Sequence, residues 1–131
     1  MVPHITLLYA ALLTFLLVAL ILRIVRLRWA LRVGLGDGED KGLRKAIRAH
    51  GNFIETAPWA IFLMLLLEMT GAASSTILHV YGSALLAARL LHAWGISHHS
   101  GFSAGRGIGM VLTAIVMVTG AVLLLLRYFA G

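Results

Sequence analysis

Three polar residues in the second apolar segment, Arg48, Asn52 and Glu55, are spaced so that they lie above one another on one helix face. Arg89 and His92 stand three residues apart in the third apolar segment and also share a face. Because ionisable side chains are costly in hydrocarbon, those inside apolar segments are functional candidates. If the two faces meet, they predict a polar pocket at the inner boundary of a membrane.

The same residues also have structural explanations. Glu55 and Arg89 form the natural ion pair, since either alone would be an unpaired charge in a medium of low dielectric constant. That pair can be purely structural. Arg48 can extend its charged head to the membrane interface, and Asn52 can hydrogen-bond between helices. On the residues alone, both interpretations stay open.

The composition is that of a membrane protein. Of the 131 residues, 60% are hydrophobic and only 12% are charged, whereas soluble domains are about half apolar and a quarter charged. The net charge of +6 would suit nucleic acid, but the charges cluster at the ends of apolar runs, so we expect no nucleic-acid partner. The absence of cysteine excludes disulfides, thiolate metal sites and a cysteine nucleophile. The histidines lack a trusted ligand spacing, so no metal is expected; those considered are His4, His79, His98 and His99.

Apolar runs and loop signals predict one all-α domain over residues 1–131. It is an integral membrane four-helix bundle, with helices at about 5–27, 43–69, 76–95 and 107–128. Pro58 predicts a kink in the second helix. Eight of the eleven basic residues flank or occupy the first connection, and the second connection has none. The positive-inside rule therefore places both termini outside. The eight are Arg23, Arg26, Arg28, Arg32, Lys41, Arg44, Lys45 and Arg48.

The start of the second helix carries a recognisable pattern, R-x-H-x-N-x-x-E-x-x-P, formed by Arg48, His50, Asn52, Glu55 and Pro58. This pattern resembles the signature of the MAPEG family, the membrane-associated proteins of eicosanoid and glutathione metabolism. The stretches Val25-Arg26-Leu27-Arg28 and Arg89-Leu90-Leu91-His92 are similar to family positions too. The sequence around Asn52 looks most like that of a little-characterised bacterial inner-membrane branch of the family. This resemblance implies an inner-membrane protein with periplasmic termini.

The resemblance implies a homotrimer with glutathione bound between neighbouring subunits near the cytoplasmic side. Glutathione carries two carboxylates and one ammonium group, so its site needs cations and an acid. By resemblance, Arg26 and Arg48 hold carboxylates and Asn52 hydrogen-bonds the peptide. Glu55 faces the amino group or braces Arg89. The implied partners are a second copy of the chain, membrane lipids, glutathione and a hydrophobic substrate.

By resemblance, His92 contacts the glutathione ligand, and Arg106 is the catalytic residue that stabilises the glutathione thiolate. A guanidinium near a thiol favours the charged form and so produces the nucleophile. Two positions depart from the family pattern. Ile96 stands where many active members have tyrosine, and Gly107 stands where a serine sometimes follows the arginine.

Three hypotheses about function follow. The first is a glutathione-dependent transferase or peroxidase, of the microsomal glutathione S-transferase type, acting on lipophilic electrophiles or lipid hydroperoxides. The second is a non-catalytic scaffold that binds lipid or glutathione, which the loss of hydroxyl groups at Ile96 and Gly107 favours. The third is a structural trimer whose polar face only locks the assembly.

Overall fold

The computed structural model describes residues 2–98 and 103–131, without the side chain of His98. They form four helices that run up and down the bundle: α1 (His4–Leu31), α2 (Lys41–Met69), α3 (Ser75–His98) and α4 (Ala104–Phe129). The helices extend one to four residues beyond most of the predicted bounds, and α2 ends at the predicted residue. The helix α2 continues through Pro58.

The connection between α1 and α2 is built from local signals. Arg32 ends α1 in the left-handed conformation, with φ of 54°. Asp40 begins α2 by accepting a hydrogen bond from the backbone N–H of Leu43, at 2.7 Å, which satisfies one of the free amides at the helix start. Asp37, inside the connection, forms an ion pair with Arg44. These contacts fix the basic connection against the start of α2.

The interior of the bundle is formed mainly by one stripe of α2 that faces the other helices. Its buried residues recur every three or four positions, as expected for one helix face, and many are small. Small side chains allow neighbouring helices in a membrane to approach closely. The stripe consists of Ala46, Ala49, Phe53, Ala57, Ala60, Met64 and Leu67.

The exterior of the bundle is apolar as well. Large hydrophobic side chains such as Phe15, Trp59, Val118 and Leu126 are exposed, which suits a lipid environment. Among the described residues, α1, α2 and α4 are long and apolar enough to cross a membrane. The helix α3 is not in that set; it carries Arg89 and His92 in its inner part. The structure therefore gives a four-helix bundle with three candidate spans, one fewer than the sequence predicted.

The two ends of the bundle differ in polar content. We call the end with the α1–α2 connection and the start of α4 the basic end, and the end with both termini the terminal end. At the terminal end the Glu68 carboxylate accepts hydrogen bonds from the backbone N–H groups of Ile5 and Thr6, at 2.9 and 2.7 Å. Arg127 donates to the carbonyl of Thr70 at the end of α2. These contacts satisfy backbone groups that a helix end leaves open.

Candidate functional site

A cleft of about 340 Å³ opens at the basic end between α2, α3 and α4. The helix α2 contributes Arg48 and Asn52, and α3 contributes His92. Arg106 comes from the first turn of α4. Four residues predicted for one site from three separate segments therefore line one cleft. The remaining lining residues are Ile96, Ser103, Gly107 and Met110.

Two glycines allow α3 and α4 to approach closely beside this cleft. A Cβ atom on Gly95 would lie 2.5 Å from the backbone nitrogen of Arg106, and one on Gly109 would lie 2.6 Å from the carbonyl oxygen of Ala88. Real Cβ atoms do not come so near to backbone atoms, so both positions need glycine. The close approach sets the distance between His92 on one helix and Arg106 on the other.

Arg89 lies beneath the cleft and is almost fully buried, with 1% of its surface exposed. One guanidinium nitrogen donates to the side-chain oxygen of Asn52 at 2.6 Å and to the hydroxyl of Thr56 at 3.0 Å. The other terminal nitrogen donates to the carbonyl of Gly109 at 3.2 Å. The guanidinium thus joins α3 to both neighbours. All these acceptors are neutral, and its Nε has no hydrogen-bond partner.

The predicted ion pair between Glu55 and Arg89 does not form within the chain. Glu55 is exposed on α2, and Asn52 and Thr56 occupy the positions that face Arg89. With 3.6 residues per turn, residues 55 and 56 lie on opposite sides of the line that runs along the helix through residue 52. The structure turns the side with Thr56 toward Arg89. Among the described residues, the ion pair that the structure shows joins Arg44 to Asp37 instead.

Arg26 lies apart from the other predicted glutathione residues in the single chain. It lines a separate cleft of about 400 Å³ with Arg23, the apolar side chains of α1 and Gly42 of α2. Arg23 also donates a hydrogen bond to the hydroxyl of Ser97 on α3. Within one chain, Arg26 and Arg48 therefore face different clefts.

Sequence reasoning missed several residues of the site. Ser103 is buried and lines the cleft, and its side chain does not cap α4. Met110 accepts a hydrogen bond from the amide nitrogen of Asn52 at 3.1 Å. Thr56 holds Arg89. Thr56 lies four residues after Asn52, a spacing that could have drawn attention to it. Ser103 precedes the glycines at 105, 107 and 109, in a connection without periodicity, and gave no signal.

The polar lining of the cleft consists of groups that donate hydrogen bonds or carry positive charge. Among the described residues, this lining contains two arginines and no carboxylate, and Arg89 adds a third guanidinium below it. An anion or a ligand rich in carbonyl and carboxylate oxygens would offset this charge. Within the described residues, no group of three or more potential metal ligands occurs. His99 lies outside the described residues.

Comparison with known protein families shows the family of this chain. The sequence matches the MAPEG family over residues 6–126, which is nearly the whole chain. The chain belongs to the MAPEG family. As a member of the MAPEG family with several candidate spans, it is a multi-pass membrane protein. The family signature that predicted the site, from Arg48 to Pro58, begins at the cleft and runs along α2.

Two curated relatives share the same similarity to this MAPEG chain. Both are named inner membrane protein YecN, from Escherichia coli strain K12 and from strain O6:H1. Each is 47% identical over 91 residues, which cover 70% of this chain and 69% of the relative.

Proposed function

We propose that this protein is a glutathione-dependent membrane transferase or peroxidase that acts on lipophilic electrophiles or lipid hydroperoxides. One observation carries the proposal: Arg48, Asn52, His92 and Arg106 come together in a single cationic cleft. Membership of the MAPEG family supports glutathione as co-substrate. The name of the relatives supports a bacterial inner membrane, with the basic end cytoplasmic and the termini periplasmic.

In this proposal Arg48 binds a glutathione carboxylate and Asn52 and His92 contact the peptide. Arg106 holds the thiol end, because its guanidinium stabilises the thiolate relative to the thiol. The thiolate sulfur attacks the electrophilic carbon, the leaving group departs with its electron pair, and the thiol proton passes to water at the cleft mouth. With a hydroperoxide, the sulfur takes the terminal oxygen and the lipid alcohol leaves. A second glutathione then releases water and forms the disulfide.

The assembly is part of the same proposal. Arg26 faces a separate cleft within one chain, and Glu55 is exposed. In a homotrimer, both become available to a ligand bound between subunits. Arg26 would then supply a second cation for glutathione, and Glu55 an acid for its amino group.

A non-catalytic scaffold that binds lipid or glutathione is the second candidate. It is favoured by Ile96 and Gly107, which line the cleft without contributing a hydroxyl group. Ser103, which carries a hydroxyl group, lines the same cleft. A hydroxyl-bearing residue is therefore present near the thiol end of the proposed site. Where glutathione is the ligand, the two candidates differ in whether its thiol reacts.

Conjugation of glutathione to an aromatic electrophile by the purified protein distinguishes them. We expect turnover by the wild type and a loss of about 100-fold in Arg106→Ala, because removing a preorganised group that stabilises developing charge costs this much in other enzymes. Arg127→Ala, on the same helix at the terminal end, is the matched control and should keep the wild-type rate. Glutathione binding without turnover would establish the scaffold instead, and equal rates in all three proteins would remove Arg106 from the reaction.

A further inference from the structure

The side-chain amide of Asn52 has two chemically different ends, and the structure gives each a different neighbour. Its oxygen accepts a hydrogen bond from Arg89 at 2.6 Å, in the interior. Its nitrogen lies 3.1 Å from the sulfur of Met110, which lines the cleft. The oxygen thus faces the protein interior and the N–H groups face the cleft.

This orientation is imposed by the chemistry of arginine. A guanidinium has donors and no acceptor, so the amide cannot turn its nitrogen toward Arg89 without placing donor against donor. Thr56 reinforces the arrangement, because its hydroxyl donates to the main-chain carbonyl of Asn52 at 2.8 Å and accepts from Arg89 at 3.0 Å. The Arg89 side chain is itself held from α4 by the carbonyl of Gly109.

On the cleft side, the Asn52 nitrogen donates only a weak hydrogen bond, to the sulfur of Met110. A thioether sulfur is a poor acceptor, so an arriving carbonyl or carboxylate oxygen would form the stronger hydrogen bond with the same N–H group. Arg48 and Arg106 also present donors to this cleft. A ligand is therefore recognised here by its oxygen acceptors.

We infer that Arg89 is a positioning residue: it fixes the side-chain amide of Asn52 with its N–H groups toward the cleft, so that Asn52 acts as a hydrogen-bond donor to a carbonyl or carboxylate oxygen of the ligand. The inference rests on the proposed function for the identity of the ligand, glutathione. The orientation itself depends only on the contacts inside the chain. The two parts can be tested separately.

The orientation is tested without ligand by a double-mutant cycle on the thermal midpoint in detergent. Asn52→Asp keeps an acceptor against Arg89, so we expect the midpoint to be kept or raised. In an Arg89→Met background the same change should lower it, because the carboxylate has lost its partner. An equal decrease in both backgrounds would overturn the orientation. Thr56→Val, which removes one acceptor of Arg89, should also lower the midpoint, because it leaves a buried guanidinium with one hydrogen bond fewer.

The donor role is tested by NMR on protein labelled with ¹⁵N-asparagine. Asn52 is the only asparagine in the sequence, which also lacks glutamine, so the side-chain amide gives one unambiguous pair of signals. Saturating S-methylglutathione, which cannot react through its sulfur, should move one amide proton downfield and slow its exchange with water. Cysteamine, which has the thiol and the ammonium but no oxygen, should leave the signals in place.

The outcomes separate the inference from the proposed function. If glutathione raises the thermal midpoint of the wild type but the Asn52 amide signals do not move, the donor role is wrong although the function survives. If glutathione leaves the midpoint unchanged at millimolar concentration, the proposed function is wrong and the donor role falls with it. The double-mutant cycle then still decides the orientation. If the amide signals are too broad to follow, the double-mutant cycle still tests the orientation. If Arg89→Met does not fold, the NMR experiment still tests the donor role.

Discussion

The two ends of the bundle use polar side chains in opposite ways. Toward the terminal end, the Tyr9 hydroxyl contacts Ser83 and His79 on α3, at 2.8 and 3.2 Å, and the Glu68 carboxylate caps α1. These groups have their partners within the chain. Toward the basic end, guanidinium and amide groups converge on a cleft whose described lining contains no carboxylate. Polar groups at the terminal end join helices, whereas Arg48, Asn52 and Arg106 at the basic end line an opening between helices.

The largest expected effects come from substitutions that change the distance between helices at one end of the bundle. Gly95→Ala, near the cleft, places a Cβ 2.5 Å from the backbone of Arg106, and Gly82→Ala places one 2.3 Å from the ring of Tyr9. Each should lower the free energy of unfolding by about 1–3 kcal/mol, the usual cost of overpacking. Only Gly95→Ala should also weaken glutathione binding, because it displaces Arg106.

Gly107→Ala is the matched control for both glycine variants. A Cβ there meets no atom of the described residues within 4 Å. Thermal unfolding in detergent should therefore occur at or slightly above the wild-type midpoint, because alanine favours a helix over glycine. Equal loss of glutathione affinity in Gly82→Ala and Gly95→Ala would show that the cleft depends on the whole bundle rather than on local spacing.

A smaller effect is expected from a hydroxyl at the terminal end. Tyr9→Phe removes the hydrogen bonds to Ser83 and to the backbone carbonyl of His79 and keeps the ring that packs against Gly82. The free energy of unfolding should fall by about 1 kcal/mol, with glutathione affinity unchanged by titration calorimetry. A clear change in affinity would contradict the division of roles between the two ends.

The smallest expected effect concerns the connection at the basic end. The hydrogen bond from Arg44, and next the backbone N–H of Glu39, lower the pKa of Asp37 below its ordinary value of 3.8. A carboxyl with a lowered pKa stabilises the folded state above the unfolded pKa and loses that contribution as pH falls through the folded pKa. Asp37→Asn should therefore be slightly less stable than wild type near neutral pH and equal to it in strong acid. The exposure of the pair keeps the difference small.

Glu39→Gln is the control for the acid titration, since Asp37 accepts from its backbone N–H rather than from its side chain. Its thermal midpoint should follow the wild type at every pH. A difference between Asp37→Asn and wild type that persisted in strong acid would show that the aspartate acts through its shape and not its charge.

Much of the fold could be predicted because apolar length and charge placement act locally along the chain. The four helices follow from runs such as 5–22 and 108–126, and the grouping of Arg48 with Asn52 follows from helical spacing. The relative rotation of helices does not follow from either. This is why Glu55 was wrongly paired with Arg89. The acceptors of Arg89 on α2 are Asn52 and Thr56, which lie three residues before Glu55 and one residue after it.

The location of Arg26 shows a second limit. Its place in the sequence, in a basic run at the end of α1, is compatible with either side of the bundle, and the structure puts it in a cleft with Arg23. Arg106 lies in the same cleft as Arg48 and His92. Its position is fixed by the close approach of α3 and α4 at Gly95 and Gly109. Such an approach depends on atoms from two helices, and the spacing of residues within one helix does not specify it.

The helix α3 has a consequence for biogenesis. It is the helix that falls outside the candidate spans, and its buried Arg89 finds its acceptors on α2 and α4. During synthesis α3 leaves the ribosome before α4 has been made. The acceptor of Arg89 on α4, the carbonyl of Gly109, is therefore still missing when the translocon releases α3. We therefore expect stable integration of α3 to depend on α4, which supplies the acceptor at Gly109. Truncation before α4 should leave α3 accessible to modification from the aqueous side.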